Sequence, residues 1–362
     1  MQDLLSQFAI YGDFEEAGPF GGGHINSTFR SSWRQAGTRL RYLHQRINTQ
    51  VFRHPEAVME NILRVTSHIA AGLAASGSRD ISRQVLSVVA ARNGRPFVID
   101  GEGGFWRSYL FIEGAYSREV TETPEEAAFL GAGAGRFQKQ LVGLGGPRLH
   151  ETIPDFHHME RRYQRFREAL DKDAFHRAAS LGAEIDYMEA NAERGAVLIR
   201  ALRSGKIPER ICHNDAKMNN LLLDKKTGEA LAIVDLDTVM PGSALFDTGD
   251  LIRTVCNRAA EDERELSRVV FEPAYFRALI SGYLSESAGF LTEAEKRLIP
   301  ESGRSFAQIM GLRFLTDYLE GDHYYHIARP EHNLDRCRTQ IALMRSMDAQ
   351  WEEITRLAAD AA

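Results

Sequence analysis

The chain reads as an α+β protein in two lobes, a small antiparallel sheet carrying one helix followed by a larger, mainly helical part. Three observations predict this. Up to about residue 112, β-forming side chains alternate or cluster between glycine-containing turns. From about Thr121 the apolar spacing becomes helical. A single β-hairpin, near residues 220–235, interrupts the helical texture.

The elements follow in order. Residues 14–20, 27–33 and 40–48 read as strands. After His54-Pro55, the apolar residues Val58, Ile62, Val65, Ile69 and Leu73 make the stripe of an amphipathic helix with proline in its first turn. Residues 84–90 and 96–100 flank Asn93-Gly94, a strong hairpin signal. Residues 105–112 (FWRSYLFI) read as a buried strand ended by Glu113-Gly114. The expectation is a five-stranded antiparallel sheet in a lobe spanning 1–114, with a helix after the third strand and a hinge at 114–122. The second lobe, 115–362, carries helical stretches at 124–141, 154–169, 174–204, 275–284, 304–320 and 333–359. Its hairpin joins 220–223 to 231–235 through Asp224-Lys-Lys-Thr-Gly228.

Composition bounds the function. With 362 residues, 43% hydrophobic and 26% charged, the chain is not wholly disordered. No run approaches the roughly 18 apolar residues of a membrane helix, and mean hydropathy is −0.33. A net charge of −6 argues against nucleic acid as the main partner. The opening residues, MQDLLSQFAIYGDFEEAG, lack a basic n-region and cleavage site, so no signal peptide is expected. Cys212, Cys256 and Cys337 are too scattered for a disulfide framework, which makes a cytoplasmic setting the expectation. None of this fixes the oligomeric state.

Residues 211–250 (ICHNDAKMNNLLLDKKTGEALAIVDLDTVMPGSALFDTGD) hold the chemistry. Asp215 and Asn220 are five apart, Asn220 stands at the mouth of the first hairpin strand, and Asp235 ends the second. The hairpin is expected to gather an acid, an amide and a second acid at one end. Phosphoryl transfer needs that set: a carboxylate to orient the attacking hydroxyl, and oxygen ligands for a Mg²⁺ that also binds phosphate.

The pattern H-x-D-x-x-x-x-N followed by a strand ending in V-D resembles the aminoglycoside phosphotransferase and choline-kinase-like superfamily, which has the bilobal protein-kinase-like fold. The resemblance implies Asp215 as catalytic base, Asn220 and Asp235 as Mg²⁺ ligands, His213 as the residue orienting the loop and Asp247 as its brace. Longer stretches look like N-acetylhexosamine 1-kinases: GGGHINSTF at 21–29, HNDAKMNNLLLD at 213–224, IVDLDTVMPGSALFDTGD at 233–250, GLRFLTDYLEGDHYY at 311–325 and PEHNLDRCRTQ at 330–340. Those enzymes use ATP to phosphorylate the anomeric C1 hydroxyl of N-acetylglucosamine and N-acetylgalactosamine.

This narrower resemblance implies that Gly21, Gly22 and Gly23 cover the ATP phosphates, which glycine permits because backbone N–H groups approach without a Cβ. It places adenine on backbone groups around Phe111 to Glu113, and the sugar against His24, Asp215, Arg313 and Tyr324. The sequence departs from the kinase pattern at the third strand, which holds no lysine; Arg46 is the best substitute grip on phosphate and His44 a weaker one. The partnering acid on the helix stays unassigned between Glu60, which points away from the apolar stripe, and Asn61 at its edge. Arg161, Arg162, Arg165 and Arg167 read as a solvated helix face, His157-His158 lacks the spacing of a zinc helix, and Cys212 as packing. Two other readings remain open: a same-fold kinase acting on choline, homoserine or another sugar, and a non-catalytic nucleotide-binding protein.

Overall fold

The computed structural model describes residues 1–21 and 25–361, and the chain divides into two compact units. The first contains Met1–Ala115 together with two later segments, Gly143–Ile153 and Val234–Met240. The second contains Tyr116–Val142, Pro154–Ile233 and Pro241–Ala362. The sequence suggested one boundary near 114; chain continuity hides the two short segments that return to the first unit.

The first unit is built on an antiparallel sheet of β1 (Asp13–Pro19), β2 (Ser27–Gln35), β3 (Thr38–Ile47), β4 (Val88–Val89), β5 (Val98–Ile99) and β6 (Phe105–Leu110), in the order β1-β2-β3-β6-β4 with β5 also on β6. The sheet has six strands where five were expected. Asn93-Gly94 does turn the chain, with Gly94 N donating to Ala91 O at 2.9 Å, but β4 and β5 do not pair into a hairpin. They dock end to end along one edge of β6, Val88 and Val89 opposite Tyr109 and Ser108, and Val98 opposite Trp106. The other edge of β6 pairs with β3, Gln45 opposite Arg107.

Alternation along β3 decides what each face can do. Tyr42 joins Phe8, Ile10, Trp33 and Trp106 in the apolar core of this unit. His44, on the same face, is fully buried between Ser31 Oγ (2.7 Å from Nε2) and Ser108 Oγ (2.5 Å from Nδ1). Helix α1 (Pro55–Ala75) follows β3 as expected and buries Val58, Ile62, Val65 and Ile69.

In the second unit, α2 (Pro124–Leu141) packs against α5 (Pro273–Ser287) at very short range. A Cβ on Gly131 would fall 2.1 Å from Leu279 O, and one on Gly282 would fall 2.1 Å from Ala128 O, so both positions require glycine. Helix α3 is Met159–Lys172, and the stretch expected as one helix over 174–204 breaks into short pieces. The hairpin forms from β7 (Leu221–Asp224) and β8 (Ala230–Ile233). Helix α4 (Ala244–Val255) was not expected: it is buried on nearly every side, and its polar residues Asp247, Thr248, Asp250 and Arg253 face protein rather than solvent. Helices α6 (Ile299–Leu319), α7 (His332–Ala349) and α8 (Trp351–Ala361) complete the unit, α7 and α8 splitting the single stretch expected at 333–359. No described helix is long and apolar enough to cross a membrane.

Candidate active site

The loop carrying Asp215 is held from below by a buried carboxylate. Ser243 caps α4, its Oγ accepting from Leu245 N at 3.3 Å. One turn in, Asp247 accepts the backbone N–H groups of His213 (3.0 Å) and Asn214 (2.7 Å), and Gln138 Nε2 donates to it at 3.2 Å. Burial pushes the Asp247 carboxyl up, although His213, Asn214 and Gln138 all favour its charged form. Asn214 takes a left-handed conformation, φ 64°, which asparagine tolerates better than most residues. Its carbonyl accepts from His157 Nε2 at 2.7 Å. Burial above all, then the charge of Arg313, pushes His157 down to about 3, so it braces the loop as a neutral imidazole.

Asp215 emerges from this loop with its side chain 31% exposed. Its own N–H donates to His213 Nδ1 at 3.2 Å. Asn220 Nδ2 donates to Asp215 O (2.8 Å) and to its Oδ2 (3.2 Å), and Lys217 Nζ stands 3.4 Å from the same Oδ2. Burial raises the Asp215 carboxyl, but Lys217, His213 and Arg313 together outweigh it and hold the group below the usual range. Register Ile233 opposite Leu221 sets Asn220, just before β7, at the end of the hairpin from which the chain leaves towards Asp235.

Arg313, whose charge acts on Asp215, lines a depression together with Arg162, Arg165, Asp317, Tyr324 and Tyr325. Arg313 and Tyr324 are brought together, the guanidinium 5.7 Å from the Tyr324 ring centre and 5.5 Å from that of Tyr325. Asp317, one turn after Arg313 on α6, makes this possible. Its buried carboxylate accepts the N–H groups of His323 (3.0 Å), Tyr324 (2.8 Å) and Tyr325 (3.0 Å). The buried Tyr325 hydroxyl has no hydrogen-bond partner among the described residues.

Arg162 corrects the solvated-face expectation. It lies in the inward stripe of α3 between Met159 and Phe166, donating to Phe156 O at 2.8 and 3.1 Å. Burial first, then the charge of Arg313, pushes it down to about 10. Arg165 and Arg167 do behave as surface residues, paired with Glu320 and Glu189. Cys212, Cys256 and Cys337 are free and buried, the Cys212 thiol pushed up by burial.

The first unit holds the other expected residues. Asp235 has a left-handed backbone, φ 63° and ψ 57°. Gly21 has φ 73° with open space where a Cβ would point; Gly22, Gly23 and His24 lie outside the described residues. The Phe111 ring packs edge-on to Phe20 at 5.5 Å and under Arg41 at 4.5 Å. The Glu113 carboxylate pairs with Arg41, and its carbonyl accepts from Arg83 Nε at 2.9 Å. Arg46 is 45% exposed and sits near Asp100 and Glu102, on the face of β3 shared with His44. The opposite face carries Gln45, whose Oε1 accepts from Arg107 at 3.0 and 2.7 Å, and Arg107 pairs with Asp237. The position left open on α1 resolves to a neutral amide: Asn61 is buried, donating to His150 O (2.8 Å) and Val239 O (2.9 Å), while Glu60 pairs with His150.

The chain belongs to the phosphotransferase enzyme family typified by the aminoglycoside phosphotransferases, whose profile matches residues 16–279. Solved structures share the fold. An aminoglycoside phosphotransferase from Alicyclobacillus acidocaldarius superposes with a TM-score of 0.59 at 15% identity, over 100% of this chain and 95% of its own. A choline kinase from Cryptosporidium parvum gives 0.56 at 16%, over 93% and 90%. A spectinomycin phosphotransferase, solved with ADP and spectinomycin, gives 0.55 at 14%, over 99% and 96%.

Proposed function

We propose that the protein is an ATP-dependent kinase that phosphorylates the anomeric C1 hydroxyl of N-acetylhexosamines. The observation that carries the reading is the depression around Arg313, with its three guanidiniums and two phenols. Burial first, then the charge of Arg313, depresses Arg162; a quaternary ammonium or polyamine placed there would meet three guanidiniums, with Glu320 taken by Arg165 and Asp317 by backbone N–H groups. A neutral, hydroxyl-rich acceptor suits the site better. Arg313 can donate to a carbonyl or ring hydroxyl, the tyrosine rings offer apolar faces, and the Tyr325 hydroxyl has a hydrogen bond to give.

In this reading Asp215, held ionised by Lys217, His213 and Arg313, accepts the hydrogen bond of the C1 hydroxyl and orients its oxygen for in-line attack on the γ-phosphorus. As the O–P bond forms and the bond to ADP breaks, the hydroxyl proton passes to the carboxylate, giving ADP and the sugar 1-phosphate. Nucleotide binding is assigned to Gly21, the glycines after it, and the backbone near Phe111 and Glu113.

The donor set fits Mg²⁺. Asn220 spends its Nδ2 on Asp215, leaving Oδ1 as the donor for a cation, and Asp235 adds a carboxylate. Mg²⁺ takes few protein ligands and completes its shell with phosphate oxygens and water. When bound, Mg²⁺ supplies charge neutralisation on the phosphates.

The test is ADP release with Mg·ATP across N-acetylhexosamines, other free sugars, choline and homoserine. Signal confined to the N-acetylhexosamines supports the reading, and signal confined to choline or homoserine overturns it. Asp215→Asn should lower kcat by at least about 100-fold while ADP binding stays near wild type; turnover within about tenfold of wild type refutes the role of Asp215.

A further inference from the structure

The face of β3 opposite His44 carries an arrangement that the motif reading did not contain. Gln45 and Arg107 are directly paired across β3 and β6. Arg107 Nε and Nη2 both donate to Gln45 Oε1, and its Nη1 pairs with Asp237 Oδ1. The two charged side chains are 1% and 3% exposed. Asp237 Oδ2 accepts a second bond, 2.6 Å from Asn26 Nδ2, and Asn26 Oδ1 in turn accepts from Asn48 N at 2.9 Å. Asn61 on α1 donates to Val239 O, two residues further on. The turn Leu236–Thr238 is thus tied on one side to the sheet and on the other to the helix.

A buried ion pair is a poor way to gain stability, because desolvating both charges offsets their attraction, and an apolar pair of similar volume often does as well. What this pair does provide is a fixed position for Asp237, and with it for the residue two places earlier. Asp235 keeps its left-handed backbone, which L-residues adopt at a cost unless their surroundings impose it.

We propose that Arg107 is a positioning residue for phosphoryl transfer: by clamping Asp237 against Gln45 and Asn26 it locks the turn that presents Asp235. The inference rests on the kinase reading above. It assigns the first unit's buried cation to β6 rather than β3, and gives it a carboxylate of the Asp235 turn as partner instead of an acid on α1.

The decisive variant removes the clamp without stranding a charge. Arg107→Met combined with Asp237→Leu replaces the pair by apolar side chains. The expected result is a melting temperature close to wild type, a 10- to 100-fold fall in kcat, a tenfold or greater loss of Mg·ADP affinity by calorimetry, and an unchanged KM for the acceptor. Arg107→Lys, which keeps a charge for Asp237 but not the double bond to Gln45, should recover part of the loss. A double variant whose kcat and Mg·ADP affinity stay within threefold of wild type overturns the proposal. So does one in which Arg107→Lys is as impaired as the double variant. If wild type binds Mg·ADP but phosphorylates no acceptor tried, the acceptor reading fails and the binding arm still decides the clamp. If wild type does not bind Mg·ADP, both fall.

Discussion

His44 gives the first unit a defined response to acid. The imidazole is fully buried, with one ring nitrogen against Ser31 Oγ and the other against Ser108 Oγ, so its single N–H and single lone pair are both used. A proton added to it would face only hydroxyls, with no exposure to solvent, and burial lowers its pKa from 6.5 to about 4. The sign follows from which state binds the proton. Below pH 6.5 the unfolded chain protonates this residue while the folded one does not, so stability is complete above that value and is lost as pH falls towards 4. Going from pH 7 to pH 5, this one group should remove about 2 kcal/mol of stability.

The assay has a built-in reporter: Trp33, whose Nε1 donates to Ser31 Oγ at 2.8 Å, shares the apolar core with Trp106, and the third tryptophan is Trp351 in α8. In a Trp351→Phe background, urea unfolding followed by tryptophan fluorescence reads this unit directly. His44→Gln keeps a donor and an acceptor but has no proton to gain. The parent should lose about 2 kcal/mol more than His44→Gln between pH 7 and pH 5. Other titrating groups, among them the raised Asp247, act equally in both proteins and cancel in the difference. Equal pH dependence in the two proteins would refute the burial argument.

Two more expectations concern packing and the acceptor site. Gly131→Ala drives a Cβ into Leu279 O and Tyr283 N, backbone atoms that cannot rotate away, and should cost about 1–3 kcal/mol in thermal unfolding; an unchanged melting temperature would show that α2 and α5 move apart freely. Asp317→Asn leaves one acceptor oxygen where the carboxylate served three N–H groups of residues 323–325. Losing charge-assisted bonds of about 1.5–3 kcal/mol each should raise the acceptor KM tenfold or more and leave the KM for ATP alone. A proportional change in both constants would mean that Asp317 supports the fold and not the tyrosine loop.

What could be read from the sequence follows a physical rule. Where an element has a polar side and an apolar side, its period shows, and α1, α2 and the β7–β8 hairpin fall where the pattern puts them. In α4 the polar residues Asp247, Thr248, Asp250 and Arg253 are themselves buried, so its polar side does not mark solvent, and the helix that carries Asp247 was missed. That Asp215, Asn220 and His213 come together was legible because they lie within a few residues of one another, joined by local hydrogen bonds that a spacing can encode. Asp247 came only from resemblance, because its contact with the loop spans 33 and 34 residues.

The missing lysine shows where such reading stops. Looking along β3 for a cation yields Arg46, the only basic residue near the end of the strand, and nothing local argues against it. Strand parity does: His44 and Arg46 share a face, His44 is buried in the core behind that face, and so Arg46 emerges at the rim beside Glu102. The residue facing the other way, Gln45, is uncharged, and its charge is supplied by its cross-strand neighbour Arg107, 62 positions later. Arg107 is then neutralised by Asp237 a further 130 positions on. No spacing links those three residues. They become one unit only after β3 and β6 have paired in a particular register. A shift of one residue in that pairing would put Trp106 or Ser108 opposite Gln45 and take the guanidinium away from Asp237. The polar network therefore depends on the β3–β6 register, and Trp106 in the core on one face is what aims Arg107 at Asp237 on the other.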